Sequence, residues 1–241
     1  MDRSEGRDGA SKMDLRASSS PRDGQWAAIF DWDGVLANSM GPHLESWQRL
    51  AQEERRVLPP DFFLPSFGRK NDWVIPHLLR WTEDPQEIAR LAERKEELYR
   101  AIVAERGVEL YPGGLTLCAS LAKGSVPRAI ASSTVRANIE LTLDQFDLRH
   151  FFQAIVTAED VTRGKPDPEV FLLAAKRLGA SPERCVVFED APAGVEAGVR
   201  AGMRVIAVTT TNPAESLRRA DRTLSGLEGL AASQIEAWFF R

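Results

Sequence analysis

The chain has 241 residues, 43% of them apolar and 27% charged, with a formal net charge of −4. That balance suits one large or two modest globular domains, and it offers no basic block for nucleic acid or for an anionic membrane surface. No apolar run approaches the roughly 20 residues that cross a bilayer. The two cysteines, Cys118 and Cys185, lie far apart in apolar surroundings, as expected of buried thiols in a reducing compartment rather than a disulfide.

Residues 1–25 are rich in Ser, Gly, Arg and Asp and have no apolar periodicity. They are expected to form a mobile tail. The segment lacks the apolar stretch of a secretory signal, and its acidic residues (Asp2, Glu5, Asp8, Asp14, Asp23) argue against an organelle transit peptide. A cytoplasmic location is therefore expected.

An apolar strand is predicted over Trp26–Asp31, within the run AAIFDWDGVLANS. It ends in Asp31 and Asp33, spaced i and i+2, which strand alternation would point the same way. Two carboxylates at one strand end repel unless a cation lies between them or one stays protonated. Either arrangement suits catalysis, with one carboxylate as nucleophile and the other moving protons. A plain strand-to-turn transition is the competing reading of these four residues. A calcium loop is excluded, because its sixth and twelfth positions would be Leu36 and Pro42 instead of Gly and Glu.

Beyond the strand the period turns helical. His43, Trp47, Leu50 and Ala51 share one face of a predicted helix over 42–56, and further helices are expected over Asn71–Trp81 and Pro85–Arg106. In the last of these, Ile88, Leu91, Ala92, Lys95, Tyr99 and Ile102 form an apolar stripe that Lys95 interrupts. Lys95 either snorkels or points into a cleft. Strands resume at Ser125–Ala131, Ala154–Thr157, Arg184–Phe188 and Arg204–Val208. They alternate with helices over Gly114–Ala122, Arg136–Gln145, Pro168–Leu178 and Gly194–Ala201. This alternation predicts an α/β fold, a parallel sheet with helices on both faces. The helical block after the first strand is then an insertion that closes at Tyr111-Pro112-Gly113-Gly114. The expected division is a core of residues 26–37 and 111–241 and an inserted unit of residues 38–110.

Sites in such sheets lie beyond the carboxyl ends of the strands. Ser132, Ser133 and Thr134 follow one strand, where they suit phosphate oxygens or simply cap a helix. Lys165 sits between Gly164 and Pro166, as a point charge for phosphate or as a solvated loop lysine. Glu189 and Asp190 end another strand, where burial is costly unless they are paired or metal-bound. One account covers all four ends. Asp31 attacks a phosphoryl group, and Asp33 protonates the leaving oxygen and later activates water. Ser132 and Lys165 hold the phosphoryl oxygens, while Asp190 and Glu189 complete, with Asp31 and Asp33, a Mg2+ site.

The motifs DWDGVLANS, AIASST, GKPDPEVF and CVVFEDAPAGVEAG occur in this order over about 170 residues. In them the chain resembles the haloacid dehalogenase superfamily of phosphotransferases. The resemblance implies a Rossmann-like core, Mg2+ as cofactor and an aspartyl-phosphate intermediate. The second aspartate, Asp33, is the mark of a phosphotransferase rather than a true dehalogenase. The insertion is similar to the helical cap of the subfamily of beta-phosphoglucomutase and CbbY-like phosphatases, and such a cap chooses the substrate. His43, Arg69 and Lys95 match in register residues that beta-phosphoglucomutase uses in cap closure and phosphate binding. Ser133 joins them as a substrate-binding candidate, and Arg69 is placed to clamp a distal anionic group. Asn38, where many relatives have Asp, and Pro42 beside His43 depart from the mutase pattern. The runs DPQEIARLAERKEELYR and EDVTRGKPDPEVFLLAAKRLGASPERCVVFED are similar to riboflavin-pathway phosphatases of plants.

The expectation is therefore a Mg2+-dependent phosphatase of a small phosphorylated metabolite, with no nucleic-acid or membrane partner and a monomer by default. The alternatives are a beta-phosphoglucomutase-like isomerase, a phosphoribitylamino-pyrimidine phosphatase and a non-catalytic binding protein.

Overall fold

The computed structural model describes residues 25–240. The expected mobile tail lies, apart from Gln25, outside the described residues. Strand β1 (Ala27–Phe30) is wholly buried. Its alternate residues face two cores, Ala28 and Phe30 one of them, Ala27 and Ile29 the other. A turn through Gly34 (φ +83) leads into β2 (Ala37–Asn38) and α1 (Met40–Glu53). On α1 the predicted face of His43, Trp47, Leu50 and Ala51 is buried. The helix starts two residues earlier than predicted, because Pro42 sits in its first turn, where a missing N–H removes no helical bond.

Next come α2 (Phe63–Ser66) and α3 (Asn71–Trp73). The single helix expected over Asn71–Trp81 is interrupted. After α3 the backbone widens into a π-helical turn, Val74–Leu79, and stops at Arg80 in the left-handed region (φ 54). Pro76 lies inside that turn, where an α-helical ring would press on the preceding carbonyl; the wider turn relieves it. Helix α4 keeps its predicted limits, Pro85–Arg106. Asp84 caps it by accepting from Gln86 N–H at 3.0 Å, Pro85 opens it, and Gly107 (φ +75) ends it. These helices share a core that includes Trp47, Leu50, Ile75, Trp81 and Leu91. Strand β3 (Glu109–Leu110) then pairs antiparallel with β2, Ala37 opposite Leu110, and forms a two-stranded neck. No strand was expected there, since two residues show no periodicity.

The chain continues through α5 (Gly114–Lys123), β4 (Arg128–Ala131), α6 (Arg136–Phe146), β5 (Ala154–Val156) and α7 (Glu169–Leu178). It ends with β6 (Cys185–Glu189), α8 (Pro192–Arg200), β7 (Arg204–Val208), β8 (Arg222–Leu224) and α9 (Ala232–Phe239). The sheet is parallel throughout in the order β5-β4-β1-β6-β7-β8. Helices α5, α6 and α9 cover the Phe30 face, and α7 and α8 cover the Ile29 face. Phe30 stacks on Phe188 of β6 with ring centroids 4.5 Å apart. The fold is the α/β Rossmann-like class expected.

From β1 the chain adds β4 and β5 on one side, then crosses to β6 on the other. The order reverses beside β1, and that reversal leaves a crevice at the carboxyl end of β1. Both cysteines are free and buried. Burial pushes each thiol up to about 12, which makes both inert at neutral pH. Among the described residues no helix is long and apolar enough to cross a membrane.

Candidate active site

Asp31 is the first residue past β1, and its N–H donates to the Phe188 carbonyl at 2.9 Å. The backbone thus delivers its carboxylate, buried, to the mouth of the crevice. Lys165, from the loop before α7, reaches it with Nζ 2.9 Å from Asp31 Oδ1 and 2.6 Å from Glu189 Oε1. Glu189 spends its other oxygen on the N–H groups of Asp190 (2.9 Å) and Ala191 (3.0 Å), at the entry to α8. A Cβ at Gly194 would come within 1.7 Å of Glu189 Oε1, so this packing requires glycine. Glu189 is therefore locked by a helix start on one side and Lys165 on the other.

Oxygens of Asp31, Glu189 and Asp190 lie within 4.8 Å of one another. Asp190 accepts from Thr211 through Oδ2, while its buried Oδ1 has no hydrogen-bond partner among the described residues. Burial raises both Asp31, to about 7, and Asp190. Lys165 opposes the rise, and the neighbouring carboxylates add to it. Lys165 itself is held above its ordinary range: burial works against its charge, but Asp31 and Glu189 outweigh burial. Three buried acids with one lysine, and one oxygen facing no donor, fit a divalent cation with oxygen ligands. Gly34 belongs to the same fit, since a Cβ there would lie 2.0 Å from Asp190 Oδ2.

Asp33, expected among the metal ligands as well, stands outside that triad. The chain has left the strand by Phe30, so strand alternation does not orient Asp33. Its Oδ1 instead accepts from Ser39 Oγ (2.6 Å) and faces His43 Nε2 (3.2 Å). Behind His43, Lys95 Nζ lies 2.7 Å from Nδ1 and 3.0 Å from Glu96 Oε1. A lysine ammonium only donates, so Nδ1 accepts and Nε2 carries the hydrogen that points at Asp33. Burial opposes ionisation of Asp33, but His43, Ser39 and Lys95 outweigh it and hold its carboxyl below the ordinary value. Tyr99 stacks on the His43 ring, centroids 4.1 Å apart, and fixes its plane.

One cavity gathers Asp31, Asp33, His43, Arg69, Lys95, Ser132 and Ser133. It encloses ≈ 440 Å³ including the part open to solvent. Ser132 is buried and its Oγ accepts from Thr134 N–H at 3.2 Å. The Arg69 guanidinium lies 3.9 Å over the Trp73 ring, and burial alone lowers its proton affinity. Trp47, Phe63 and Phe67 supply apolar walls. Of the expected residues, Asp31, Asp33, His43, Arg69, Lys95, Ser132 and Ser133 line the cavity, while Lys165, Glu189 and Asp190 do not line it and are brought together around Asp31.

Sequence reasoning missed Ser39, Asn71, Glu96, Asn138 and Thr211. Ser39 was visible as the polar end of the first motif. Glu96 had a signal too, because Ala92, Lys95, Glu96 and Tyr99 follow the i, i+3, i+4, i+7 spacing of the buried face.

Residues 28–208 match the model of the family described as haloacid dehalogenase-like hydrolase. The chain belongs to that family. Its enzyme class is phosphoric monoester hydrolase, and several of its curated relatives are named as phosphatases. One relative is a chloroplastic 5-amino-6-(5-phospho-D-ribitylamino)uracil phosphatase of Arabidopsis thaliana. It is 38% identical over 88% of this chain, which spans 57% of that protein's length. Hexitol phosphatase A of Escherichia coli is 32% identical over 86% of this chain and 93% of its own. Among solved structures, CbbY from Rhodobacter sphaeroides in complex with phosphate superposes with a TM-score of 0.78 at 26% identity. That match covers 88% of this chain and 99% of the other.

Proposed function

We propose that this chain is a Mg2+-dependent phosphatase that hydrolyses the phosphate monoester of a small polyhydroxylated metabolite through an aspartyl-phosphate on Asp31. The observation that carries this reading is the placement of Asp31. Its buried carboxylate is held by Lys165 and opens into a cavity that it shares with Asp33 and Ser132. Residues 38–110 act as the cap that chooses the substrate, over a catalytic core of residues 26–37 and 111–241.

Asp31 is the nucleophile. Lys165 neutralises charge on Asp31 and on the transferring phosphoryl oxygens, and Ser132, with Ser133 beside it, donates to those oxygens. Asp31, Asp190 and Glu189 would hold Mg2+, which would supply positive charge to offset that of the carboxylates and the phosphoryl group. Asp33 works as acid and then as base. Its low proton affinity keeps it ionised, and so free to accept a proton from water in the second transfer. In the first transfer its proton arrives with the monoprotonated phosphate ester and passes to the leaving oxygen. His43 and Lys95 orient Asp33, and Arg69, a cavity-lining cation, receives an anionic or polar group of the substrate. The named relatives act on a ribitylamino-pyrimidine phosphate and hexitol phosphates, which supports phosphorylated polyol chains as the substrate class.

The direct test is phosphate release with Mg2+ from sugar phosphates, hexitol phosphates, nucleotides and the phosphoribitylamino-pyrimidine, with beta-glucose 1-phosphate plus its bisphosphate alongside. Release from a polyol phosphate, lost with chelator, is expected. Isomerisation of glucose 1-phosphate without release would move the assignment to a mutase.

A pH dependence follows from the acid triad. Asp31 titrates near 7 in the folded, metal-free protein against an ordinary 3.8. Between those values the folded state binds more protons than the unfolded one, so metal-free stability falls as pH rises through the window. Mg2+ replaces those protons. Its stabilising effect in a thermal melt is expected to be larger at pH 8 than at pH 5.5, and equal effects at both would count against a carboxylate-held cation.

A further inference from the structure

Glu96 is a buried charge that the proposed chemistry does not use. Glu96 lies on α4 beside Lys95, and both its oxygens are occupied. Oε1 accepts from Lys95 Nζ (3.0 Å) and Asn71 Nδ2 (2.6 Å), and Oε2 accepts from Asn138 Nδ2 (2.6 Å). Asn138 belongs to α6, on the sheet side of the cavity, and is itself buried. Its amide also reaches Thr134 Oγ1 (3.2 Å), its Oδ1 accepts from Arg100 Nη1 (3.2 Å), and Thr134 N–H donates to Ser132 Oγ (3.2 Å). An unbroken polar path therefore runs Asp33–His43–Lys95–Glu96–Asn138–Thr134–Ser132. It leaves the acid/base residue, crosses the helical insertion and returns to the phosphate-holding strand end.

Adhesion between α4 and α6 does not need this path. Tyr99 and Val103 already pack against Leu141 and Phe146 there. A buried carboxylate adds little net adhesion, because its desolvation offsets most of the attraction. What the path adds is direction. Asn138 can donate to Glu96 only when the insertion is seated on the core, and Glu96 then fixes where the Lys95 ammonium sits.

We propose that Glu96 is a positioning residue: it holds Lys95 on His43 Nδ1 and, through Asn138, makes the orientation of Asp33 conditional on seating of the insertion. The role assigned to Asp33 rests on the phosphatase reading; the Glu96–Asn138 link can be tested without it.

Asn138→Asp sets a carboxylate against Glu96 Oε2 with almost no change in size. Adding Glu96→Gln reverses the direction of that one hydrogen bond. The new amide keeps its oxygen toward Lys95 and Asn71 and turns its NH2 to the new carboxylate, so net charge equals that of the natural chain. With p-nitrophenyl phosphate and Mg2+, Asn138→Asp is expected to lower kcat about 10- to 100-fold, with KM within about threefold. The double variant should return kcat to within about fivefold of the natural chain. Asn138→Ala should lower kcat likewise, and Glu96→Gln should not rescue it; this pair serves if Asn138→Asp fails to fold. Unchanged kcat in Asn138→Asp, or a double variant no better than the single, would overturn the proposal.

Hydrogen exchange over residues 63–74 of the metal-free protein gives a readout independent of turnover. It should quicken in Asn138→Asp and recover in the double variant, and exchange indifferent to both would overturn the link. A natural chain that fails to hydrolyse any ester would sink the phosphatase reading, while exchange would still decide on Glu96.

Discussion

Asp31→Asn is expected to abolish turnover, at least about 10^4-fold in kcat, because an amide cannot form the acyl phosphate. The fold should survive the change. Asp31 is a buried carboxyl whose proton affinity is raised first by burial and further by Glu189 and Asp33, against the opposition of Lys165. A neutral amide of the same shape relieves that crowding, and Lys165 keeps Glu189 at 2.6 Å. Calorimetry in chelator at pH 8 should find the variant no less stable than the natural chain. Added Mg2+ should stabilise it less, since one of three ligands has lost its charge. Turnover within tenfold of the natural chain would remove Asp31 as nucleophile.

Lys165→Met should harm both stability and activity. Methionine matches the apolar stem of lysine, which already lies over Phe171, Nζ 5.0 Å from the ring centroid. Packing is therefore largely retained, and the loss is electrostatic. Asp31 and Glu189 would be left as fully buried carboxylates without their shared cation. Breaking a buried pair in this way costs about 3–5 kcal/mol, or about 10 °C in Tm for a chain of this size. Activity should fall about 10^2- to 10^3-fold or more, because the charge that faces the transferring phosphoryl group is lost. Adding Glu189→Gln removes one orphaned charge and should restore part of the stability but none of the turnover. A Lys165→Met protein that melts with the natural chain would show that the two acids are satisfied by other means.

Much of the core was legible because its strands are buried on both faces and so read as apolar runs, such as RCVVF and RVIAV. Each run ends in residues that change the backbone. Asp31 precedes a glycine turn, Ser132 precedes a helix, Lys165 is flanked by Gly164 and Pro166, and Asp190 leads to Pro192. The site was therefore written at boundaries, where punctuation is strongest. Helix α4 was equally plain, opened by Asp84-Pro85 and closed by Gly107.

What escaped the sequence reading depends on contacts between distant segments. The neck of β2 and β3 joins Ala37 to Leu110 through strands too short to have a period. The π-helical turn at Val74–Leu79 follows from how Pro76 is accommodated within a packed insertion. Glu96 shared the buried face of α4, yet its meaning came only with Asn138, 42 positions away. Strand alternation was the wrong argument for Asp33. The chain turns before reaching it, and Ser39 and His43 decide its state.

The stereochemical course at phosphorus tests a two-step transfer through Asp31 most directly. Each in-line displacement inverts the phosphorus centre. With a substrate isotopically chiral at phosphorus, two displacements predict net retention. Net inversion would mean that water attacks the substrate itself, and would contradict an aspartyl-phosphate on Asp31.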